Sequence, residues 1–222
     1  LDTDLRSLLF PAPEADHDEL ARTLERPALA LPALFTMQYA QARLWQSWGI
    51  EPAAMIGHSM GEYTAACLAG VFTLRDALGV VALRGRLFET LPEGGMLSVP
   101  LSPAALEPLL PPGTSIAAIN APELCAVSGP PPALDALQQR LQDMEVECRR
   151  IHISVAAHSP MLEPILGPFA DFLRTLRLSA PTVPTVSNLS GTWLRADEAT
   201  SADYWVRHLR QTVRFSDGLA LL

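Results

Sequence analysis

Cysteine is scarce in this chain, and clusters of basic residues are absent. The three cysteines among 222 residues, Cys67, Cys125 and Cys148, are too few and too widely spaced for a disulfide framework or a zinc motif. We therefore expect reduced thiols, no metal site and a cytoplasmic protein. Lysine plus arginine number 16 against 24 acidic residues, a net charge of −8, which argues against nucleic acid or an anionic membrane as the main partner.

Long hydrophobic runs and leader-like segments are missing as well. The uncharged stretch from Pro27 to Ala42 is interrupted by proline, threonine and glutamine, so we do not expect it to span a membrane. The sequence does not open on a basic segment followed by an apolar run, and no secretory signal is predicted. What the chain does have is 49% hydrophobic and 18% charged residues, the composition of a globular domain with a core.

The order of predicted elements indicates an α/β protein with an inserted unit. Residues 31–48 have large apolar side chains around most of a helix, the pattern of a buried helix, and residues 53–57 favour a buried strand. Residues 95–154 have the order β-α-β-β-α-β, which is that of a complete ferredoxin-like unit. The segments on either side of it are predicted to form one larger α/β unit.

A G-x-S-x-G motif, Gly57-His58-Ser59-Met60-Gly61, lies between the predicted strand and a predicted helix. A serine on such a turn presents its hydroxyl to solvent, and flanking glycines let the backbone fold that sharply. The N–H of Met60 points to the same place and can donate to an oxyanion. The context favours a nucleophile at Ser59 over a coincidental turn.

A serine nucleophile needs a base, and His158 is the candidate. It ends the small-residue run Val155-Ala156-Ala157 and precedes a helix capped by Ser159, so a held turn would present its imidazole. A capping or surface histidine is equally compatible with this position. His58 is expected to pack or hydrogen-bond locally. The acid of a hydrolase triad has no good candidate, and a base oriented by a backbone carbonyl suits the chain better.

Arg84 is the most informative charged residue. On a helix its neighbours three, four and seven positions away are all apolar: Ala77, Val80, Val81, Leu87 and Phe88. Burying a guanidinium on such a face is costly unless an anion meets it. Two interpretations remain open, a structural ion pair with a protein carboxylate and a fork for a substrate carboxylate.

Together these motifs resemble the acyltransferase domain of modular type I polyketide synthases, relatives of malonyl-CoA:acyl carrier protein transacylases. The resemblance runs through essentially the whole chain. It assigns one role to each site residue: Ser59 as acylated nucleophile, His158 as general base, Arg84 as the ligand of an extender carboxylate, the Met60 N–H as oxyanion donor, and the backbone carbonyl of Arg214 as the group that orients the histidine.

The resemblance also implies an architecture. A hydrolase-like α/β subdomain with a parallel sheet would span 1–94 and 155–222, and a ferredoxin-like subdomain would be inserted at 95–154. The family's N-terminal Gly-Gln-Gly segment, which supplies a second oxyanion donor, and its C-terminal Glu-Val-Gly-Pro strand are absent from this sequence. We therefore expect a piece of a longer polypeptide.

The implied substrate is malonyl-CoA or methylmalonyl-CoA, with no bound cofactor. The acceptor would be the phosphopantetheine thiol of an acyl carrier protein, and a ketosynthase and other synthase domains would be partners in the same polypeptide. The family's selectivity tetrapeptide is usually His-Ala-Phe-His for malonyl and Tyr-Ala-Ser-His for methylmalonyl; here Val155, Ala156 and Ala157 precede His158 and match neither.

Two residues give opposite indications of the extender unit. Ala157 leaves room for an α-methyl group, whereas Met60, in place of the glutamine common in methylmalonyl enzymes, favours malonyl. One methyl group is worth only ~1–3 kcal/mol. We predict a malonyl-type extender; the alternatives are a methylmalonyl transferase, a serine acyl hydrolase or thioesterase with the same Ser-His pair, and a non-catalytic scaffold.

Overall fold

The structure, a computed structural model, describes residues 3–222. Its elements follow in the order α1 (Leu5–Leu9), α2 (His17–Leu24), α3 (Pro27–Ser47), β1 (Met55–Ile56), α4 (Met60–Leu68), α5 (Leu74–Phe88), β2 (Gly95–Val99), α6 (Pro103–Leu106), β3 (Ser115–Ala121), β4 (Leu124–Gly129), α7 (Pro131–Asp143), β5 (Arg149–Ile151), α8 (Glu163–Arg174), β6 (Thr185–Val186), α9 (Ala196–Ala199), α10 (Ala202–Arg210) and α11 (Phe215–Leu221). Short 3-10 helices follow α6, at Glu107–Leu109, and precede α8, at Pro160–Leu162.

Strands β1 and β6 form a two-stranded parallel sheet. Met55 lies opposite Thr185, and Ile56 lies opposite Val186. Strand β1 is shorter than the predicted 53–57, because only Met55 and Ile56 pair with β6. The carboxyl ends of parallel strands meet at one edge of a sheet, where ligands commonly bind. The segments after β1 and β6 are therefore brought together at that edge.

The second sheet is antiparallel, with strand order β3-β4-β2-β5. Together with α6 and α7, these strands have the order of a ferredoxin-like unit. The unit has a hydrophobic core of its own, which includes Leu97, Val127, Leu134 and Leu141. The last strand of the unit, β5, has only three residues and ends where the chain bends at residue 152.

The larger core lies among α3, α4, α5, α8 and α10. Aromatic rings fill its centre, with the Trp205 ring 4.8 Å from Phe72 and 5.2 Å from Tyr63 between centroids. Gly85 lets α5 lie against the start of α3, because a Cβ there would come within 2.3 Å of the Pro27 carbonyl oxygen. This packing fixes the helix that carries Arg84.

Helix α3 differs from the prediction of a buried helix. One face of its first half is buried, through residues such as Leu29 and Phe35. Several large apolar side chains along the helix and at its C-cap are nevertheless exposed: Leu34, Met37, Leu44, Trp45 and Trp48. The neighbouring helices α4 and α5 cover only part of its surface, and its far end borders an open groove of about 600 Å³ beside β1. Across residues 3–222, none of the helices is long and apolar enough to cross a bilayer.

Candidate active site

The turn after β1 is sharp and sterically exacting. Ser59 has φ 49° and ψ −110°, and α4 begins at the next residue. A Cβ on Gly57 would lie 2.1 Å from the carbonyl carbon of Gly61, whereas a Cβ on Gly61 would meet nothing nearer than a Gln38 side-chain oxygen at 4.0 Å. Steric contacts therefore require a glycine at Gly57 but not at Gly61.

Alanine substitutions at these two glycines are expected to differ strongly in their effect on the free energy of unfolding. Gly57→Ala forces backbone atoms apart and should lower the free energy of unfolding by about 4 kcal/mol or more, the range of severe steric defects. Gly61→Ala, inside α4, should change it by no more than about 1 kcal/mol. Thermal unfolding followed by circular dichroism compares the two, and equal melting temperatures would contradict the steric difference.

Ser59 and His158 are in direct contact. The Ser59 hydroxyl lies 2.7 Å from His158 Nε2, and His158 has φ 59°, so both residues occupy a backbone region that ordinary side chains rarely adopt. Such strain is typical of functional sites. The turn is held by Ser159, whose hydroxyl donates to the Ala156 carbonyl at 2.7 Å and accepts the Met161 N–H at 3.2 Å. His158 is 3% exposed, so it is not a surface histidine.

The electrostatic environment keeps His158 neutral. Burial lowers its pKa well below the ordinary value of 6.5, and the nearby Arg84, His208 and His58 lower the pKa further, while the main chain of Gln211 acts in the opposite direction. Neutral imidazole is the form that accepts a proton. The ring therefore has the protonation state that a general base requires.

The segment expected to orient the imidazole follows α10. Val213 pairs with β3 through backbone hydrogen bonds of 2.8 and 2.9 Å, and the carbonyl of Arg214 accepts the Gly218 N–H at 3.1 Å in the first turn of α11. The orienting role of the Arg214 carbonyl stays a prediction. His158 Nδ1 has no hydrogen-bond partner in the part of the chain that the structure describes, and none of the described carboxylates forms an ion pair with His158.

Arg84 is 2% exposed and faces the same serine. Its Nη2 donates to Ser59 Oγ at 3.2 Å, and its guanidinium carbon lies 5.6 Å and 5.2 Å from the ring centres of Tyr63 and Phe88. Nε and Nη1 are buried without hydrogen-bond partners among residues 3–222, and no described carboxylate pairs with this guanidinium. The interpretation of a structural ion pair is therefore wrong, and the guanidinium contacts the serine through Nη2.

The remaining predicted residues surround this centre. The N–H groups of Gly61 and Glu62 donate to the carbonyls of His58 and Ser59, but the Met60 N–H makes no hydrogen bond within the described residues, as is usual in the first turn of a helix. It is therefore free to donate to an anionic oxygen.

The three residues before His158 take different positions. Val155 packs on the large helical core, and Ala156 is buried next to Gly94. Ala157 packs on a small cluster that includes Met96 and Val213. Their side chains therefore connect the site to both parts of the fold.

Sequence reasoning missed a buried polar cluster beneath the serine. Glu62 is completely buried, and it accepts the Asn188 N–H at 2.7 Å and the hydroxyl of Tyr204. His208 Nε2 lies 3.4 Å from the same carboxylate. His58 also differs from its prediction, because it hydrogen-bonds Asn120 at 2.8 Å rather than a local group. Glu62 could have been found by the criterion applied to Arg84, since Ala65 and Ala66 follow it on a helix of small and apolar residues.

Comparison with known proteins decides the family. A family model described as the acyl transferase domain matches residues 5–222. The chain belongs to the acyl transferase domain family. This acyl transferase domain is 40% identical over 202 residues to a phenolphthiocerol/phthiocerol polyketide synthase of Mycobacterium tuberculosis, a match that covers 91% of the chain and 14% of that protein.

Solved structures agree with this assignment. The acyl transferase domain of ZmaA is 43% identical with a TM-score of 0.90, covering 99% of this chain and 51% of that one. The acyl transferase domain of SpnD, solved in complex with 2-(pent-4-yn-1-yl)malonyl, is 44% identical with a TM-score of 0.90 and the same coverage. The chain thus spans about half of these solved domains. The predicted α/β fold class and the resemblance to polyketide synthase acyltransferases are confirmed.

Proposed function

We propose that this acyl transferase domain moves a carboxylated acyl group from coenzyme A to the phosphopantetheine thiol of an acyl carrier protein, through an ester on Ser59. One observation carries the proposal. Arg84 is buried with two unpartnered donors and lies 3.2 Å from a serine hydroxyl that is itself 2.7 Å from a histidine. This arrangement supports a nucleophile, a base and an anion receptor at one centre.

The first half-reaction forms the ester. His158 Nε2 takes the hydroxyl proton as Ser59 Oγ attacks the thioester carbonyl, which becomes a tetrahedral oxyanion. The N–H of Met60, at the positive end of α4, stabilises that oxyanion. Collapse breaks the carbon–sulfur bond, the proton on His158 passes to the sulfur, and coenzyme A leaves as the thiol.

The second half-reaction transfers the group. The thiol of the carrier protein gives its proton to His158 and attacks the ester carbonyl, and collapse returns that proton to Ser59 Oγ. His158 borders a cavity of about 420 Å³ that it shares with Gln211 and Arg214, which offers an approach to the imidazole from outside. Carrier protein, ketosynthase and other synthase domains are the partners we propose.

Arg84 sets the substrate class in this proposal. A free acyl carboxylate can accept charge-assisted N–H bonds from the guanidinium of Arg84, whereas a neutral acyl chain leaves the buried charge unpaired. The SpnD domain was solved with a malonyl derivative, which supports a carboxylated group here. We propose malonyl as the extender, with Val155, Ala156 and Ala157 influencing the space beside it.

A competition experiment tests the proposal. The protein is incubated with equal malonyl-, methylmalonyl- and acetyl-CoA, and its intact mass is recorded before and after a pantetheine thiol is added. We expect a malonyl adduct that disappears as malonyl-pantetheine forms faster than free malonate. Preferential acetyl loading would contradict the preference for a carboxylated group. Release mainly as the free acid would contradict transferase activity, and the absence of any adduct would contradict catalysis through an acyl-enzyme.

The lowered pKa of His158 predicts the pH dependence of acylation. Below its pKa the imidazole is protonated and cannot act as a base, so the acid limb of kcat/KM should lie below pH 6.5, the ordinary pKa. The charge of Arg84 lowers that pKa, so Arg84→Ala should shift the limb to higher pH, while His58 and His208 remain as neighbours. Pre-steady-state acylation rates measured across pH give the acid limb of the wild type and that of Arg84→Ala. A wild-type acid limb above pH 6.5 would contradict a neutral buried base.

A further inference from the structure

We propose that Asn188 is a positioning residue for the nucleophile. Resting on the proposed role of Ser59, this inference adds the group that holds that serine in its reactive conformation. Asn188 is 1% exposed and follows β6 by two residues. It lies in the segment that meets the turn after β1 from the neighbouring strand.

The side-chain amide of Asn188 bridges the turn. Its Oδ1 accepts the Ser59 N–H at 2.7 Å, and its Nδ2 donates to the Gly57 carbonyl at 2.7 Å. Backbone pairing between β1 and β6 stops at Ile56 and Val186. The amide thus supplies the donor and acceptor that the ladder no longer provides, on both sides of His58.

Asn188 is itself fixed by buried partners. Its backbone N–H donates to Glu62 Oε2 at 2.7 Å, and its carbonyl accepts the Arg214 N–H at 2.8 Å. Glu62 is further bound by the hydroxyl of Tyr204, which lies 2.7 Å from Ser187 Oγ. Glu62, Ser187 and Tyr204 are completely buried. The Glu62 carboxylate of α4 thereby fixes the position of Asn188, which in turn holds the turn at Ser59.

This arrangement has two consequences for the nucleophile. Ser59 at φ 49° needs surrounding contacts to stay in that conformation, and the two amide bonds flank it directly. The Ser59 N–H is occupied by Asn188 and cannot donate to an oxyanion, which leaves that role to Met60. A hydroxyl displaced by about 1 Å would lose roughly 100-fold in rate.

The test compares Asn188→Ala with Ser190→Ala, a control that removes an exposed hydrogen bond to Thr192 in the same loop. Acylation by malonyl-CoA should fall roughly 100-fold in Asn188→Ala, with KM changed by less than about threefold because the amide touches no substrate. Labelling of the serine by phenylmethylsulfonyl fluoride should slow in parallel. Ser190→Ala should behave as wild type. Wild-type acylation in Asn188→Ala would overturn the proposal.

A second variant separates the loss of positioning from a folding defect. Asn188→Ser keeps a small polar side chain, but one hydroxyl cannot bridge both the Ser59 N–H and the Gly57 carbonyl. The variant should retain the fold, as circular dichroism checks, and acylate at least about 10-fold more slowly than wild type. Unchanged acylation in this variant would also overturn the proposal. Failure of the proposed function is distinguishable, since it would appear as a wild-type protein that gains no acyl adduct or as an adduct that persists in Ser59→Ala. Failure of this inference would appear as Asn188 variants that acylate at the wild-type rate in a protein whose adduct still requires Ser59.

Discussion

Ser59→Ala is expected to abolish the acyl adduct on exposure to malonyl-CoA. The hydroxyl is the group that His158 Nε2 contacts at 2.7 Å, and removing the nucleophile from such a pair costs roughly 10⁴-fold or more in rate. The alanine variant keeps the backbone and the bond from its N–H to Asn188. Its melting temperature should therefore stay close to that of the wild type.

Intact-mass spectrometry over a time course measures this effect, with Ser190→Ala as a serine control that should still be acylated. His158→Ala should retain the nucleophile but form its adduct far more slowly. If the Ser59→Ala protein gained the malonyl mass at the wild-type rate, the nucleophile would be a different residue, and the contact with His158 would have another purpose.

Arg84→Ala is expected to change which acyl groups are accepted. Losing a buried partner of a hydrogen-bonded charge costs about 2–5 kcal/mol, so malonyl loading should fall roughly 30-fold or more. Acetyl loading should fall much less, because acetyl has no carboxylate for the guanidinium to bind. The ratio of the two rates should therefore move toward the neutral group.

The chain provides a matched control in Arg86, two residues further along α5. Arg86 is exposed, so Arg86→Ala should leave both loading rates within about twofold of wild type, as is usual for surface changes. Stopped-flow or quenched-flow acylation with each thioester gives the comparison. A parallel fall of malonyl and acetyl loading in Arg84→Ala would indicate a general structural role instead of carboxylate recognition.

The parts of the site that could be predicted depend on local sequence. The serine turn is defined by five consecutive residues, and the burial of Arg84 is visible in the spacing of apolar residues along one helix. The apolar residues from Ala77 to Phe88 that define this spacing do lie on one helix, α5. Short-range patterns of this kind dictate local structure, and the long-range fold does not override them here.

The parts that could not be predicted depend on distant contacts. Asn188 contacts the serine turn across 129 positions of sequence, and no local sequence pattern predicts that contact. Val213 pairs with β3 across more than ninety positions of sequence, and this pairing places the segment that follows α10 beside the second sheet. The exposed end of α3 was misjudged because apolar spacing reports which side chains prefer burial, not which neighbouring elements are there to cover them.

The most direct measurement is a crystal structure of the protein acylated by malonyl-CoA. The geometry of Ser59, His158 and Arg84 predicts an ester on Ser59 Oγ, with the free carboxylate of the acyl group within hydrogen-bond distance of the Arg84 guanidinium and the carbonyl oxygen next to the Met60 N–H. An ester on another residue, or a malonyl carboxylate directed away from Arg84, would contradict the claim that these three side chains form one acyl-transfer site.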